Sequence, residues 1–336
     1  MRAAVCHAYG PPEVVHVEDL PSPAPADGQV RVRVAFASVN FPDVLLVAGT
    51  YQVGVPPPFV PGSELSGVVV EVGDGVEGVA AGDRVTGTAM VGAFAEEVVL
   101  AAGSVQPVPD GVDLRVAAAF GVAHRTAYHV LRSVAGLQPG EELVVLGAGG
   151  GVGLAAVQLG VHLGASVTAV ASSAGKLEVA ASYGAAHVVD RRSGDLRGAL
   201  RTCLPDGADV VVDPVGGDAA EPALRSLRWG GRFVTVGYAS GEIPRIPLNL
   251  VLLKGVHVLG FQFIDFARRH PDFGRNEAEL AGLLASGRVV PHIGTTFGLE
   301  EVAAALRLVA DGAAVGKVVL SVGGDRSECR AEIDDQ

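Results

Sequence analysis

Between Gly147 and Gly153 the chain places five glycines in seven residues, GAGGGVG, directly behind the β-type run Leu143–Leu146 and ahead of helical spacing over Val152–Leu163. Such a turn suits one kind of chemistry. Small residues let the backbone come close to a pyrophosphate, and the N–H groups and partial positive charge at a helix N-terminus receive it. The spacing Ala148-x-Gly150-x-x-Gly153, with Gly151 and Val152 completing the turn, is that of a dinucleotide-binding turn. Its place between a strand and a helix gives the pattern its force. No Gly-Lys-Ser/Thr follows, which disfavours a mononucleotide P-loop.

The end of the next strand decides which dinucleotide is bound. A site for NAD carries Asp or Glu about 20 residues past the glycines, bonded to the ribose hydroxyls. Here the sequence VTAVASSAGK offers Ala171, Ser172 and Ser173, with Lys176 close behind. No carboxylate repels a 2′-phosphate, two hydroxyls can donate to it, and Lys176 can neutralise it. Arg191 or Arg192, after the third strand, closes the pocket from the side. These residues select NADPH.

Elements must hold these groups in place. Leu143–Leu146, Ser166–Ala171, His187–Val189, Val210–Val212, Phe233–Val236 and Val256–Leu259 read as strands, with helical spacing over Val152–Leu163, Gly175–Tyr183 and Ala219–Leu227. Strands alternating with helices of this length imply a doubly wound parallel sheet with right-handed crossovers. Ligands then sit beyond the carboxyl ends of the strands, which adds Val215, Gly216, Gly237, Tyr238 and Phe261 to the candidate cofactor contacts. Before Gly121 the pattern differs. Gln29–Ala37, Gly67–Val72, Arg84–Thr86 and Phe94–Leu100 alternate or run apolar between Gly/Asp turns, as in an all-β, barrel-like unit. Two further strands, Pro291–Phe297 and Lys317–Val322, flank a helix at Leu299–Ala310 and can return to that first unit.

The chain has 336 residues, 25 Lys+Arg against 37 Asp+Glu, for a formal net charge of −12. With 49% hydrophobic and 18% charged residues it is too apolar for a disordered chain, and its acidity disfavours a nucleic-acid binder. Leu143–Ala171 is long enough to span a bilayer, but its glycines break it into strand, turn and helix, so no membrane span is expected. The N-terminus lacks the apolar stretch of a secretory signal. Cys6, Cys203 and Cys329 are scattered, with no CxxC pair, which fits a reducing cytoplasm and leaves neither a disulfide framework nor a structural zinc lobe.

The motifs GPPEV, SVNFPDVLLVAGTY, PFVPGSELSGVVVEVG, GDRV, TAYHVL, GAGGGVGLAAVQ, DPVGG, GGRFVTVGYASGEIPRIPLN and GKVVL together resemble a zinc-free quinone oxidoreductase of the medium-chain dehydrogenase/reductase superfamily, related to zeta-crystallin. The resemblance runs from Met1 to Val322. It implies an α/β protein with a GroES-like β-barrel catalytic domain at 1–121, completed by 289–324, and a Rossmann NADPH-binding domain at 122–288. It also implies a homodimer and hydride transfer from NADPH to a small-molecule quinone or enone in the cleft between the domains. The tail 325–336 is charged, has no apolar face and is expected to be disordered.

Metal-dependent relatives hold zinc with Cys, His and Cys and relay protons through a Ser/Thr; the matching positions here are Asn40, Ser63, Val122 and Pro42. That set lacks the soft donors zinc needs, so no metal is expected. His124 and His129 lie five apart and are expected to be ordinary polar residues rather than a metal pair. The residues matching the family's active cleft are Asn40, Asp43 and Tyr51. Asn40 would donate an amide hydrogen bond to the nicotinamide ribose or the substrate carbonyl, Tyr51 a phenolic proton, and Asp43 would orient its neighbours. Thr126 matches a position near the nicotinamide, and Lys317 a basic position that approaches the cofactor.

Two departures touch substrate shape: His124-Arg125 replaces the family's Tyr-Gly, placing bulk and charge near the nicotinamide mouth, and FQFIDFARR is rich in Phe. An enoyl-thioester (enoyl-CoA or acyl-carrier) reductase and a non-catalytic NADPH-binding protein are the alternatives. The first would want a basic entry, for which only Arg245, Arg268 and Arg269 offer themselves.

Overall fold

The alternating segments Arg2–Cys6 (β1) and Val15–Asp19 (β2) pair as an antiparallel hairpin, and bridges from Ala3 to Ala95 and from Cys6 to Phe59 fasten it to the chain that follows. The structure, a computed structural model, describes residues 1–323; the expected disordered tail lies outside them. The chain divides into two units, one formed by residues 1–122 together with the C-terminal segment from 293, the other by 123–292.

In the first unit Gln29–Val39 (β3) is the central strand. Its alternation QVRVRVAFASV buries Val30, Val32 and Val34 at zero exposure. It is followed by the short helix Phe41–Val47 (α1), then Glu64–Val72 (β4), Arg84–Thr88 (β5), Glu97–Ala101 (β6) and Val105–Pro107 (β7). The chain passes into the second unit within the helix Leu114–His129 (α2).

The second unit alternates strand and helix. Glu142–Leu146 (β8), Gly151–His162 (α3), Ser166–Ala171 (β9), Ala174–Ser182 (α4), His187–Asp190 (β10), Leu196–Cys203 (α5), Ala208–Asp213 (β11), Ala220–Ser226 (α6), Leu227–Thr235 (β12), Leu248–Lys254 (α7) and His257–Gly260 (β13) lead to helices Phe263–Arg269 (α8) and Phe273–Ala285 (α9). The six strands form one parallel sheet in the order β10-β9-β8-β11-β12-β13. The order reverses direction beside β8, at the switch point where open α/β sheets bind ligands. The apolar stretch Leu143–Ala171 is β8, α3 and β9, and no helix among the described residues is long and apolar enough to cross a membrane.

The chain then returns to the first unit through Ile293–Gly298 (β14), Val302–Ala310 (α10) and Lys317–Ser321 (β15). These complete a seven-stranded sheet in the order β14-β15-β3-β4-β5-β7, with β6 also on β3. Register has a direct consequence here. Val318 faces Val39 across β15 and β3, and Ser38 faces Glu64 across β3 and β4, so residues 40, 64 and 317 reach one edge of three adjacent strands.

Candidate active site

In the second unit the glycine turn is held by its own close packing. Gly147 has φ +62°, a conformation that favours glycine, and Val215 lies against the place its Cβ would take. A Cβ on Gly153 would run into the carbonyl oxygen of Gly147, so only glycine lets α3 begin this close to the turn. Gly150 is the N-cap of α3, and Gly151 and Val152, half-buried, form its first turn, while Ala148 is buried under it.

At the end of β9, Ser173 caps α4 by accepting the Lys176 N–H. The Lys176 side chain runs over Gly149, in the space a Cβ there would fill, and partial burial holds its pKa below the usual lysine value. Thus Lys176 and the glycine turn, far apart as motifs, are one surface. Ser172 is half-buried beside them. Arg191 points elsewhere, to Asp218 at 3.7 Å.

Beyond β11, Asp213 Oδ1 accepts the N–H groups of Val215 and Gly216, each at 2.8 Å, and so shapes the DPVGG loop. Burial raises the Asp213 pKa against those two bonds. Tyr238 packs beside Gly216. Gly237 and Phe261, half-buried, occupy the carboxyl ends of β12 and β13, where Phe261 bonds its N–H to Thr235 and tilts its ring against Phe266. Thr126 is half-buried on α2.

The expected intrusion of bulk and charge from His124-Arg125 is corrected by the structure. His124 is buried and bonds Gln158, and Arg125 pairs with Glu277 at 2.8 Å while stacking over the Phe263 ring at 4.7 Å. The charge is neutralised inside the fold. His129 is equally buried, bonded to Glu277 and Asn276 and stacked on Phe273. The Phe-rich segment after β13 is the packing partner of this network, which the sequence reading did not connect to it.

In the first unit Asn40 caps α1, with Pro42 in the first turn. Its N–H donates to Asp43 Oδ2 at 2.7 Å, as in half of a capping box. Its side chain is fully engaged: Oδ1 accepts from Lys317 Nζ at 2.6 Å, and Nδ2 donates to Ser38 O, Ser63 Oγ and Glu64 Oε2. Lys317 also pairs with Glu64 at 3.1 Å, and Glu64 Oε1 accepts the Val122 N–H at 2.7 Å. Lys317 is only 4% exposed, so an ammonium expected among the cofactor contacts is spent within this cluster. Glu64 was missed by sequence reading, although a carboxylate opening the apolar run ELSGVVV signals a buried partner.

Asp43 is fully buried. Burial drives its pKa up to about 7, against the Asn40 N–H, the Ser63 side chain and the Lys317 charge, with Glu64 adding repulsion. Although Ser63 favours the carboxylate, no contact meets hydrogen-bond geometry at Oδ1, which has no partner among the described residues. Tyr51, half-buried against the core of this unit, has its phenol pKa raised by burial and by the Asp43 charge. The structure therefore brings Asn40, Asp43, Tyr51 and Lys317 into one neighbourhood.

A zinc ion does not fit this donor set. Zinc needs Cys, His or carboxylate donors in a tetrahedral shell, whereas Asn40, Ser63 and Val122 supply an amide, a hydroxyl and an alkyl group. The Lys317 ammonium already supplies positive charge to Asn40 and Glu64.

Residues 26–110 match the model of the alcohol dehydrogenase GroES-like domain, and 151–278 that of the zinc-binding dehydrogenase family. The chain is 39% identical over 324 residues to quinone oxidoreductase-like protein 2 of Bos taurus, covering 96% of this chain and 92% of that one. Among solved structures it resembles Escherichia coli quinone oxidoreductase complexed with NADPH, with TM-score 0.89, 28% identity and coverage of 96% and 100%. It likewise resembles the quinone oxidoreductase of Thermus thermophilus, with TM-score 0.81, 33% identity and coverage of 96% and 100%. With a GroES-like unit, a Rossmann sheet and 39% identity to a quinone oxidoreductase-like protein over 96% of its length, the chain belongs to the zinc-free quinone oxidoreductases of the medium-chain dehydrogenase/reductase superfamily.

Proposed function

We propose that this protein is an NADPH-dependent reductase that delivers hydride to a quinone or another α,β-unsaturated carbonyl without a metal. The observation that carries the reading is Lys176 laid over Gly149, with Ser172 and Ser173 where an NAD site would have a carboxylate. NADPH supplies the hydride when bound. The chain's part is to receive the pyrophosphate at the N-terminus of α3, to read the 2′-phosphate with Lys176 and the two serines, and to provide a proton for the reduced substrate. The candidates for that last task are Tyr51 and Asp43. Asn40 and Lys317 act by holding the cluster together, since the amide and ammonium are both engaged in it. The relatives solved with NADPH support the choice of cofactor.

The working assembly is a homodimer in the cytoplasm. The edge strand β13 and its surroundings support the dimer: Trp229 is 80% exposed and Leu252 81%, with Leu248, Leu253 and Val258 also exposed beside an unpaired strand edge. A second copy would pair along that edge. Cys6 and Cys203, both free thiols, suit a reducing compartment.

The deciding experiment follows NADPH and NADH oxidation with a panel of quinones, 2-alkenals and enoyl-CoA esters, with and without chelator. Turnover with quinones or enones, preference for NADPH and indifference to chelator are expected. No turnover with any acceptor, or loss of activity on chelation, rejects the reading.

A further inference from the structure

The chain crosses between its two units twice, once inside α2 after Val122 and once ahead of β14 after His292. Polar side chains fasten both crossings. On the first, Val122 donates its N–H to Glu64 Oε1 at 2.7 Å, and Glu64 in turn holds Asn40 and Lys317. Two residues on, His124 Nε2 lies 3.3 Å from Gln158 Oε1. On the second crossing, Val290 O accepts from Gln158 Nε2 at 3.0 Å, and His292 Nδ1 lies 3.4 Å from the Tyr183 hydroxyl with the two rings edge to face. One amide thus ties both crossings to α3, the helix whose N-terminus is read above as the pyrophosphate site.

The place of Gln158 is unusual for its chemistry. It is the only polar side chain of α3 before His162, 8% exposed between the fully buried Val157 and Leu159. A buried amide costs stability unless its donors and acceptor are matched, and an apolar side chain of the same size would need no match. What the amide adds is direction. A carbonyl can only accept, so the NH₂ group faces Val290, and Oε1 then accepts from His124, whose Nε2 carries the hydrogen.

We propose that Gln158 is a positioning residue for hydride transfer: by holding residues 124 and 290 to α3 it fixes where both crossings leave the cofactor-binding unit. The proposal rests on the reading of the reaction given above, in which NADPH is bound by one unit and the proton donors Asp43 and Tyr51 belong to the other. Hydride transfer then needs both crossings anchored to the helix that receives the pyrophosphate. Gln158 touches neither reactant and acts through His124 and the Val290 carbonyl.

The test compares variants shown to be folded by circular dichroism. Gln158→Met keeps the volume and removes both bonds. It should lose about 10-fold in kcat, since misplaced reacting groups can cost that much or more, with NADPH affinity, read by fluorescence, at the wild-type value. His124→Leu breaks the first tie alone and should lose part of the rate, and His124→Gln, whose amide can donate with similar reach, should restore it. Hydrogen exchange gives a readout apart from turnover. With NADPH bound, amides around residue 124 and residues 290–292 should exchange about 10-fold faster in Gln158→Met, the worth of about one hydrogen bond, while those of β8 stay unchanged. A Gln158→Met enzyme with wild-type kcat overturns the proposal, as does one whose kcat and NADPH affinity fall together or whose crossings exchange at the wild-type rate. If Gln158→Met does not fold, the pair at 124 decides, and equal rates for His124→Leu and His124→Gln reject the role. Inactivity of the wild type toward every acceptor would strike the hydride-transfer reading instead, while exchange still reports whether Gln158 holds the crossings.

Discussion

Lys317 Nζ lies 2.6 Å from Oδ1 of Asn40, a contact between residues 277 positions apart that is buried in the edge formed by β15, β3 and β4. The same ammonium neutralises Glu64, so two buried polar groups depend on one side chain.

Removing that side chain should therefore be costly. Lys317→Met leaves Glu64 buried without its counter-charge, and a broken buried pair costs about 3–5 kcal/mol. Urea unfolding should show that loss, and the double variant Lys317→Met/Glu64→Gln should recover most of it, because no charge is then stranded. A double variant no more stable than the single one would show that packing of the lysine stem, not charge balance, holds the cluster.

Asp43 gives a pH dependence of definite sign. Its pKa rises from 3.8 unfolded to about 7 folded, so the folded state binds the extra proton between those values. The associated stability is fully present below the unfolded pKa and is lost as pH climbs to the folded one. The shift corresponds to at most about 4 kcal/mol. Stability measured against Asp43→Asn, which keeps a side-chain oxygen to accept the Asn40 N–H, should fall across that window in the wild type alone. Parallel curves for the two proteins would reject the assignment.

The sequence made the Rossmann unit readable because its central strands β8, β9 and β11 are buried on both faces and its glycine turn has a fixed spacing. All six parallel strands were placed by apolar runs, although β13 is displaced by one residue from Val256–Leu259 and β12 begins at Leu227, well before Phe233, and ends at Thr235. The active cluster was less legible. Asn40 and Asp43 could be found by motif, but what Asn40 does could not, since its partners Glu64 and Lys317 come from strands brought together only by register. The pair His124-Arg125 misled for the same reason: a charge read along the chain looks exposed until Glu277, about 150 residues on, is seen to neutralise it. Helices α1 and α9 went unread, although Asn276, Leu280, Leu283 and Leu284 are buried at helical spacing along α9.

The edge of the parallel sheet predicts an assembly. Val258 is exposed on β13, as are Trp229 on β12 and Leu252 and Leu253 on α7. Sedimentation should give a dimer for the wild type, and Val258→Lys, which places a charge on the strand edge, should shift it to monomer without unfolding. A wild type that sediments as a monomer across the working concentration range would remove the second copy from this edge.

Cofactor choice turns on Lys176. Its stem is packed over Gly149 and its charge is partly desolvated, so a phosphate dianion gains more from it than from an exposed lysine. Lys176→Ala should weaken NADPH by about 1–3 kcal/mol, the value of a charge-assisted hydrogen bond, while NADH binding changes little. Titration of intrinsic fluorescence with each nucleotide measures both. Equal losses for the two cofactors would mean that Lys176 supports the glycine turn rather than reading the phosphate, and Ser172 and Ser173 would then have to account for any preference. Gly149→Ala offers the complementary check, since a methyl group there must displace the Lys176 stem: it should lower NADPH affinity more than NADH affinity if the stem's position is what aims the ammonium.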